Sequence, residues 1–110
     1  MIKVTVYKTR RHDYVGFDVS GHAGYAEAGS DIVCAAVSAL VITAINSIER
    51  FTKDETSCVS DEESGNITFR FAQSSSHDAG LLLDSMILGL EEIEDSSEHE
   101  EYIDIIFKEV

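Results

Sequence analysis

Apolar and polar residues alternate along residues 2–7, with Ile2, Val4 and Val6 on one side and Lys3, Thr5 and Tyr7 on the other. A period of two predicts a half-buried strand. Thr9 to Asp13 is polar and reads as a turn. Residues 14–20 alternate again, with Val15, Phe17 and Val19 as the expected inward face, so the two runs predict an antiparallel hairpin. The pattern then changes: Ile32 to Ile45 is apolar apart from Ser38 and Thr43. Its 14 residues are short for a bilayer span and fit a buried helix. Ser30 and Asp31 are good N-caps for it, and it should end near Arg50 to Lys53. Being apolar nearly all round, it needs cover on both faces. A single sheet layer cannot provide that, and a second subunit can.

The alternation returns further on. Thr56 to Ser60 reads as a short strand that takes Cys58 into the core. Asp61 to Asn66 reads as a turn, with Gly65 or Asn66 supplying any left-handed residue. Ile67, Phe69 and Phe71 form the inward face of the next strand. Ser74 to Asp78 caps a second helix, whose apolar positions Leu82, Leu83, Met86, Ile87, Leu90 and Ile93 follow helical spacing. Glu91 to Glu101 holds seven acids in eleven residues, which marks a solvated helix end and loop. Ile103, Ile105 and Phe107 alternate as a last strand. The order ββαββαβ predicts a two-layer α+β fold, a largely antiparallel five-stranded sheet with two helices. With 110 residues, a single domain over 1–110 is expected.

Charge narrows the partners. The net charge is −13 and unevenly placed: residues 1–30 carry four basic and three acidic side chains, residues 31–110 four basic and eighteen acidic. Nucleic-acid binders usually show a basic face, so no direct nucleic-acid partner is expected. An acidic surface suits a basic partner or simply keeps the chain soluble. The opening Met1 to Lys8 lacks the apolar run of a secretory signal, so the expected location is the cytoplasm, with no membrane association. Thiols stay reduced there, which argues against a Cys34–Cys58 disulfide.

The chemistry concentrates around the long helix. Gly21, Gly24 and Gly29 fall within ten residues before it and predict a mobile loop. With Ser30 or Asp31 as cap, Cys34 falls in the first helical turn, where free N–H groups and the helix dipole favour an anion. A thiolate is the reactive form of cysteine, so this position suits a nucleophile. Cys34 can also be read as a small buried hydrophobe. His22, on the glycine-rich loop, shifts the balance, because an imidazolium folded back onto a thiolate is the pairing of cysteine proteases. Asp31 fits either a helix cap or an orienter of His22. As an anion close to Cys34 it opposes the thiolate unless His22 is charged. Ser38, one turn after Cys34, can donate to the thiolate or bond back to the Cys34 carbonyl, with the second expected. His12 falls in a turn, His77 at a helix start and His99 in the acidic run. None forms a ligand pair with metal-like spacing, so neither metal nor other cofactor is expected.

Gly21-His22-Ala23 followed by Gly29-Ser30-Asp31-Ile32-Val33-Cys34-Ala35-Ala36-Val37-Ser38 resembles the signature of the ribosomal-processing cysteine protease family. Length and element order agree across the chain. The resemblance implies an endopeptidase that removes the N-terminal extension of a large-subunit ribosomal protein, number twenty-seven, during ribosome assembly. It implies cleavage after an aromatic residue, Cys34 as nucleophile, His22 as its base, and a homodimer. Two rivals stand beside it: a non-enzymatic acidic assembly factor that holds a basic ribosomal protein, and a thiol redox sensor.

Overall fold

The structure is a computed structural model and describes residues 1–21, 28–61, 63–96 and 102–110, with 28–31 as backbone only. Seven elements follow the expected order: β1 (Ile2–Lys8), β2 (Tyr14–Ser20), α1 (Ala28–Phe51), β3 (Thr56–Ser60), β4 (Ile67–Phe71), α2 (His77–Asp95) and β5 (Ile103–Glu109). The sheet runs β3-β4-β2-β1-β5. Every neighbouring pair is antiparallel except β1 with β5, the first and last strands, and the chain reaches β5 from β4 through α2. The two-layer α+β fold is therefore as expected, with one parallel pair in the sheet.

Strand periodicity sets the core. Ile2, Val4 and Val6 of β1 join Phe17, Val19, Phe69 and the helix residues Val33, Val37, Val41, Ile48, Leu83 and Leu90 in one cluster. Phe17 and Phe69 are fully buried and stack across the β2–β4 pair at 5.2 Å between ring centroids. One position differs from the simple alternation. Tyr14, rather than Val15, is buried. Tyr7 pairs with Gly16 but Lys8 pairs with Tyr14, so Val15 is the extra residue of a β-bulge. A bulge advances one strand by a residue and reverses which side chains face inward beyond it.

Both helices have legible ends. Ser76 caps α2, its hydroxyl oxygen accepting the Ala79 N–H at 3.2 Å. At the end of α1 the Thr52 hydroxyl donates to the Ile48 carbonyl at 2.7 Å. The stretch Ile32–Phe51 is long and apolar enough to cross a membrane by composition. Its Val33, Val37, Val41, Ala44, Ile45 and Ile48 are nonetheless packed in the core, so one of its apolar faces is covered within the fold. Its opposite face is bare in the single chain, where Ile32 and Ile42 are half or more exposed.

β3 departs from expectation more sharply. It lies at the sheet edge, Ser57 to Ser60 are all exposed, and Cys58 is a free exposed thiol rather than a core residue. A short strand is buried only if neighbours cover it, and β3 has a strand on one side alone. Partial burial and the Glu49 carboxylate both raise the Cys58 thiol pKa, which disfavours its thiolate.

The opposite face of the sheet carries a polar clamp. Arg70 donates through Nη1 to Asp18 Oδ1 at 2.9 Å and through Nη2 to Oδ2 at 3.2 Å. The Tyr7 hydroxyl donates to Asp18 Oδ2 at 2.9 Å, and the guanidinium lies over the Tyr7 ring. The clamp thus links β1, β2 and β4. Burial pushes the Asp18 carboxyl up, but the bonds from Arg70 and Tyr7 outweigh it and hold the group below its ordinary 3.8. A carboxylate depressed in the folded state stabilises it above the unfolded pKa and ceases to do so as pH falls through the folded one. The melting temperature is therefore expected to drop as pH falls below about 4, and Asp18→Asn should flatten that drop. Parallel acid melting curves for the two proteins would remove the clamp as the cause.

Candidate active site

The register of the sheet assembles the site. Ser20, at the end of β2, pairs with Lys3 near the start of β1, while Val19 pairs with Ile67 at the start of β4. Three chain-distant strand ends therefore meet at one end of the sheet. The N-terminal half of α1 lies over them, and the gap between is a cavity of about 140 Å³. Cys34 and Ser38 line it from α1. Ile2, Val19, Ile67, Val37 and Val41 form apolar walls, and Gly21 and Gly65 bound it from the two adjoining turns. Cys34 is a free thiol, half-buried, so it is packed yet reachable from the cavity.

The helix start differs from the sequence expectation. α1 begins at Ala28, so neither Ser30 nor Asp31 occupies the cap, and Cys34 lies in the second turn. Ala28 continues the helix backwards, and Gly29 within it is a tolerable cost of about 1 kcal/mol against alanine. The N–H groups without helical partners are those of the first turn. Cys34 therefore sits beyond the stretch where the dipole acts most strongly.

Of the glycines expected to form a mobile loop, Gly29 is helical and Gly24 lies outside the described residues. Gly21 is held in place. Its φ is +83°, and a Cβ there would lie 2.4 Å from the Met1 carbonyl oxygen. His22 lies outside the described residues, as do the side chain of Asp31 and His99. Ser38 is exposed and lines the cavity as helical spacing implied. It makes no hydrogen bond among the described residues, so the expected bond back to the Cys34 carbonyl is not formed.

The other candidates sit elsewhere. His12 has a left-handed φ of 67° in the β1–β2 turn, and His77 pairs with Asp78 at the start of α2. Both line a separate hollow beside Tyr14 and Asp84, whose side chains are hydrogen-bonded to each other. Burial and then the Asp84 carboxylate push the Tyr14 phenol far above its ordinary value. Among the described residues no group of three His, Cys, Asp or Glu is placed to hold a metal. Gly65 and the apolar walls carry no sequence signal as parts of the site, only as turn and core residues. The one local signal for Gly65 was its turn composition, and its φ of 74° is the left-handed residue that turn required.

Known proteins resemble this chain in sequence and in fold. The sequence model of the family described as Cysteine protease Prp matches residues 1–104. The ribosomal processing cysteine protease Prp of Bacillus subtilis (strain 168) is 35% identical over 98 residues, covering 86% of this chain and 88% of that protein. The protein of the same name from Staphylococcus aureus is 32% identical over 90 residues, covering 82% and 83%. Among solved structures, an essential ribosomal processing protease Prp from S. aureus with a covalently linked product peptide superposes with a TM-score of 0.88. It shares 30% identity over 98% of this chain and 100% of that one. The same protease with a substrate peptide gives 0.89 at 29% identity over the same shares. Fold, thiol and relatives together define a cysteine protease. The chain belongs to the Prp family of ribosomal processing cysteine proteases.

Proposed function

We propose that this protease removes the N-terminal extension of large-subunit ribosomal protein number twenty-seven, with Cys34 as nucleophile and His22 as its base. The observation that carries the reading is the free, half-buried Cys34 thiol over an apolar cavity large enough for a substrate side chain. The cavity walls are valine and isoleucine, which suits the aromatic residue that the family resemblance implies before the cut. The S. aureus relative holds a covalently linked product peptide, and nucleophilic catalysis proceeds through a covalent intermediate.

In this reading His22 takes the Cys34 proton and the thiolate attacks the scissile carbonyl. The imidazolium then protonates the leaving amine, and water hydrolyses the thioester that remains. With Cys34 in the second turn of α1, the helix terminus acts on it from about a turn away. More of the burden of holding a thiolate therefore falls on His22⁺. Asp31 and Ser38 are supporting residues, Ser38 facing the cavity beside the thiol.

The acidic surface of residues 31–110 suits a basic ribosomal segment, and such a substrate places the reaction in the cytoplasm. The exposed face of α1, with Ile32, Ala35, Ala39 and Ile42 at helical spacing, suits a homodimer. A single-chain mass by sedimentation at micromolar concentration would count against it. The functional test incubates the extended ribosomal protein with wild type, His22→Ala and Cys34→Ala at low and high salt, read by mass spectrometry. Wild type should remove the extension, more slowly as salt rises, and neither variant should. Cleavage by either variant at the wild-type rate sinks the assignment, and salt-independent kcat/KM sinks the electrostatic part.

A further inference from the structure

We infer that Asn66 is a positioning residue for the reaction, fixing the backbone point from which the chain leaves β2 toward His22. The inference rests on the reading of His22 as base. Asn66 Oδ1 accepts the Gly21 N–H at 3.3 Å, and Gly21 is the residue that precedes His22. Gly21 is itself constrained, by its left-handed φ and by the Met1 carbonyl against which it packs. Asn66 is presented by a well-tied turn. The Asp61 N–H donates to the Asn66 carbonyl at 2.9 Å, and the Gly65 N–H donates to the Asp61 carbonyl at 2.8 Å. The Asn66 N–H donates to Ser64 Oγ at 3.3 Å. Both joined segments border the thiol, since Gly21 and Gly65 line the same cavity as Cys34. The Asn66 side chain thus bridges the β3–β4 turn to the end of β2 beside the nucleophile.

Magnitudes separate a positioning role from a structural one. The bond is solvent-exposed, so it adds little to folding. Displacing a catalytic group by about 1 Å can cost roughly a hundredfold in rate. Losing the Gly21 anchor should therefore show in catalysis and hardly at all in melting.

The test uses a Cys58→Ser background, so that iodoacetamide reads Cys34 alone. Asn66→Ala, Asn66→Asp, His22→Ala and Asn66→Ala/His22→Ala are compared for kcat and KM on the extended ribosomal protein, for Cys34 alkylation rate and for melting temperature. Asn66→Ala is expected to lower kcat about tenfold with KM within about twofold, and to slow alkylation. Asn66→Asp keeps the acceptor oxygen and should recover most of the loss. In the His22→Ala background, Asn66→Ala should change alkylation no further. The inference falls if Asn66→Ala leaves kcat unchanged, if Asp is as poor as Ala, or if the alkylation loss persists undiminished without His22. If His22→Ala itself cleaves and alkylates as wild type does, the base assignment falls and takes this inference with it. A crippled His22→Ala beside a neutral Asn66→Ala overturns the inference alone.

Discussion

Cys34→Ala is expected to lower kcat/KM on the extended ribosomal protein by about 10⁴-fold or more, while substrate binding and folding persist. No other group at the described end of the sheet can form the acyl bond with comparable ease. Ser38 is a hydroxyl with no base bonded to it there, and Cys58 is on the edge strand with its thiolate disfavoured. Removing the nucleophile of a serine-protease triad costs about 10⁶ in kcat, so 10⁴ is the conservative figure, equivalent to about 5.5 kcal/mol of transition-state stabilisation. Folding should hardly notice. The half-buried side chain loses one sulfur, worth about 1 kcal/mol at most. The informative measurement pairs kcat/KM with substrate Kd and a denaturation curve. Lost cleavage with retained binding marks a protease. An assembly factor that merely packs Cys34 would show no cleavage even by the wild type and unmoved binding in the variant, and a lost fold would show in the denaturation curve.

The second large effect is on stability and lies far from the thiol. Gly16→Ala is expected to cost about 3 kcal/mol or more. A Cβ at Gly16 would lie 2.1 Å from the Phe69 carbonyl oxygen and 2.8 Å from Arg70 Cδ. The first of these is backbone, so no rotamer change relieves it, and β2 and β4 must part. Parting them disturbs the Phe17–Phe69 stack on one face and the Arg70–Asp18 pair on the other. For a domain of this size that loss is a large share of about 5–15 kcal/mol and should lower the melting temperature by on the order of 10 °C or more. Gly80→Ala is the control. Gly80 is a residue of α2, and its Cβ would meet no side chain nearer than Ser75 Oγ at 3.8 Å, so the substitution should be neutral or stabilising by up to about 1 kcal/mol. Equal melting of the Gly16→Ala and Gly80→Ala proteins would show that the close approach of the two strands is not sustained in solution.

These two predictions draw on different levels of the molecule. Cys34 and Ser38 stand four apart in an apolar run, so helical periodicity alone places them on one face, and the cavity contains both. Ile2, Val4 and Val6 were equally plain, because a strand's inward face repeats every second residue. A cap for α2 within Ser74 to Asp78 followed from the residue types before an apolar helical pattern, and the structure selects Ser76 among them. In each case the governing interaction spans a few residues of one segment, so the segment's own sequence carries it.

Other features depend on partners that no local window contains. The bulge that buries Tyr14 instead of Val15 is a relation between β1 and β2. Cys58 is exposed because β3 ends the sheet, and strand order is decided by the whole chain. The start of α1 at Ala28 moved Cys34 inward by a turn, since Ser30 and Asp31, though better as caps, are tolerated in a first turn, where an acid also suits the dipole. Gly65 and Ile67 reached the cavity beside the thiol, and Asn66 the Gly21 N–H, only through antiparallel register, which brings the start of β4 against the end of β2. Sequence by itself determined the elements, most of their inward faces and the placement of the Cys34 sulfur on the Ser38 side of α1, because those rest on periodicity. Tertiary structure alone decided what surrounds that sulfur, because a cavity is the space left between segments distant in the chain.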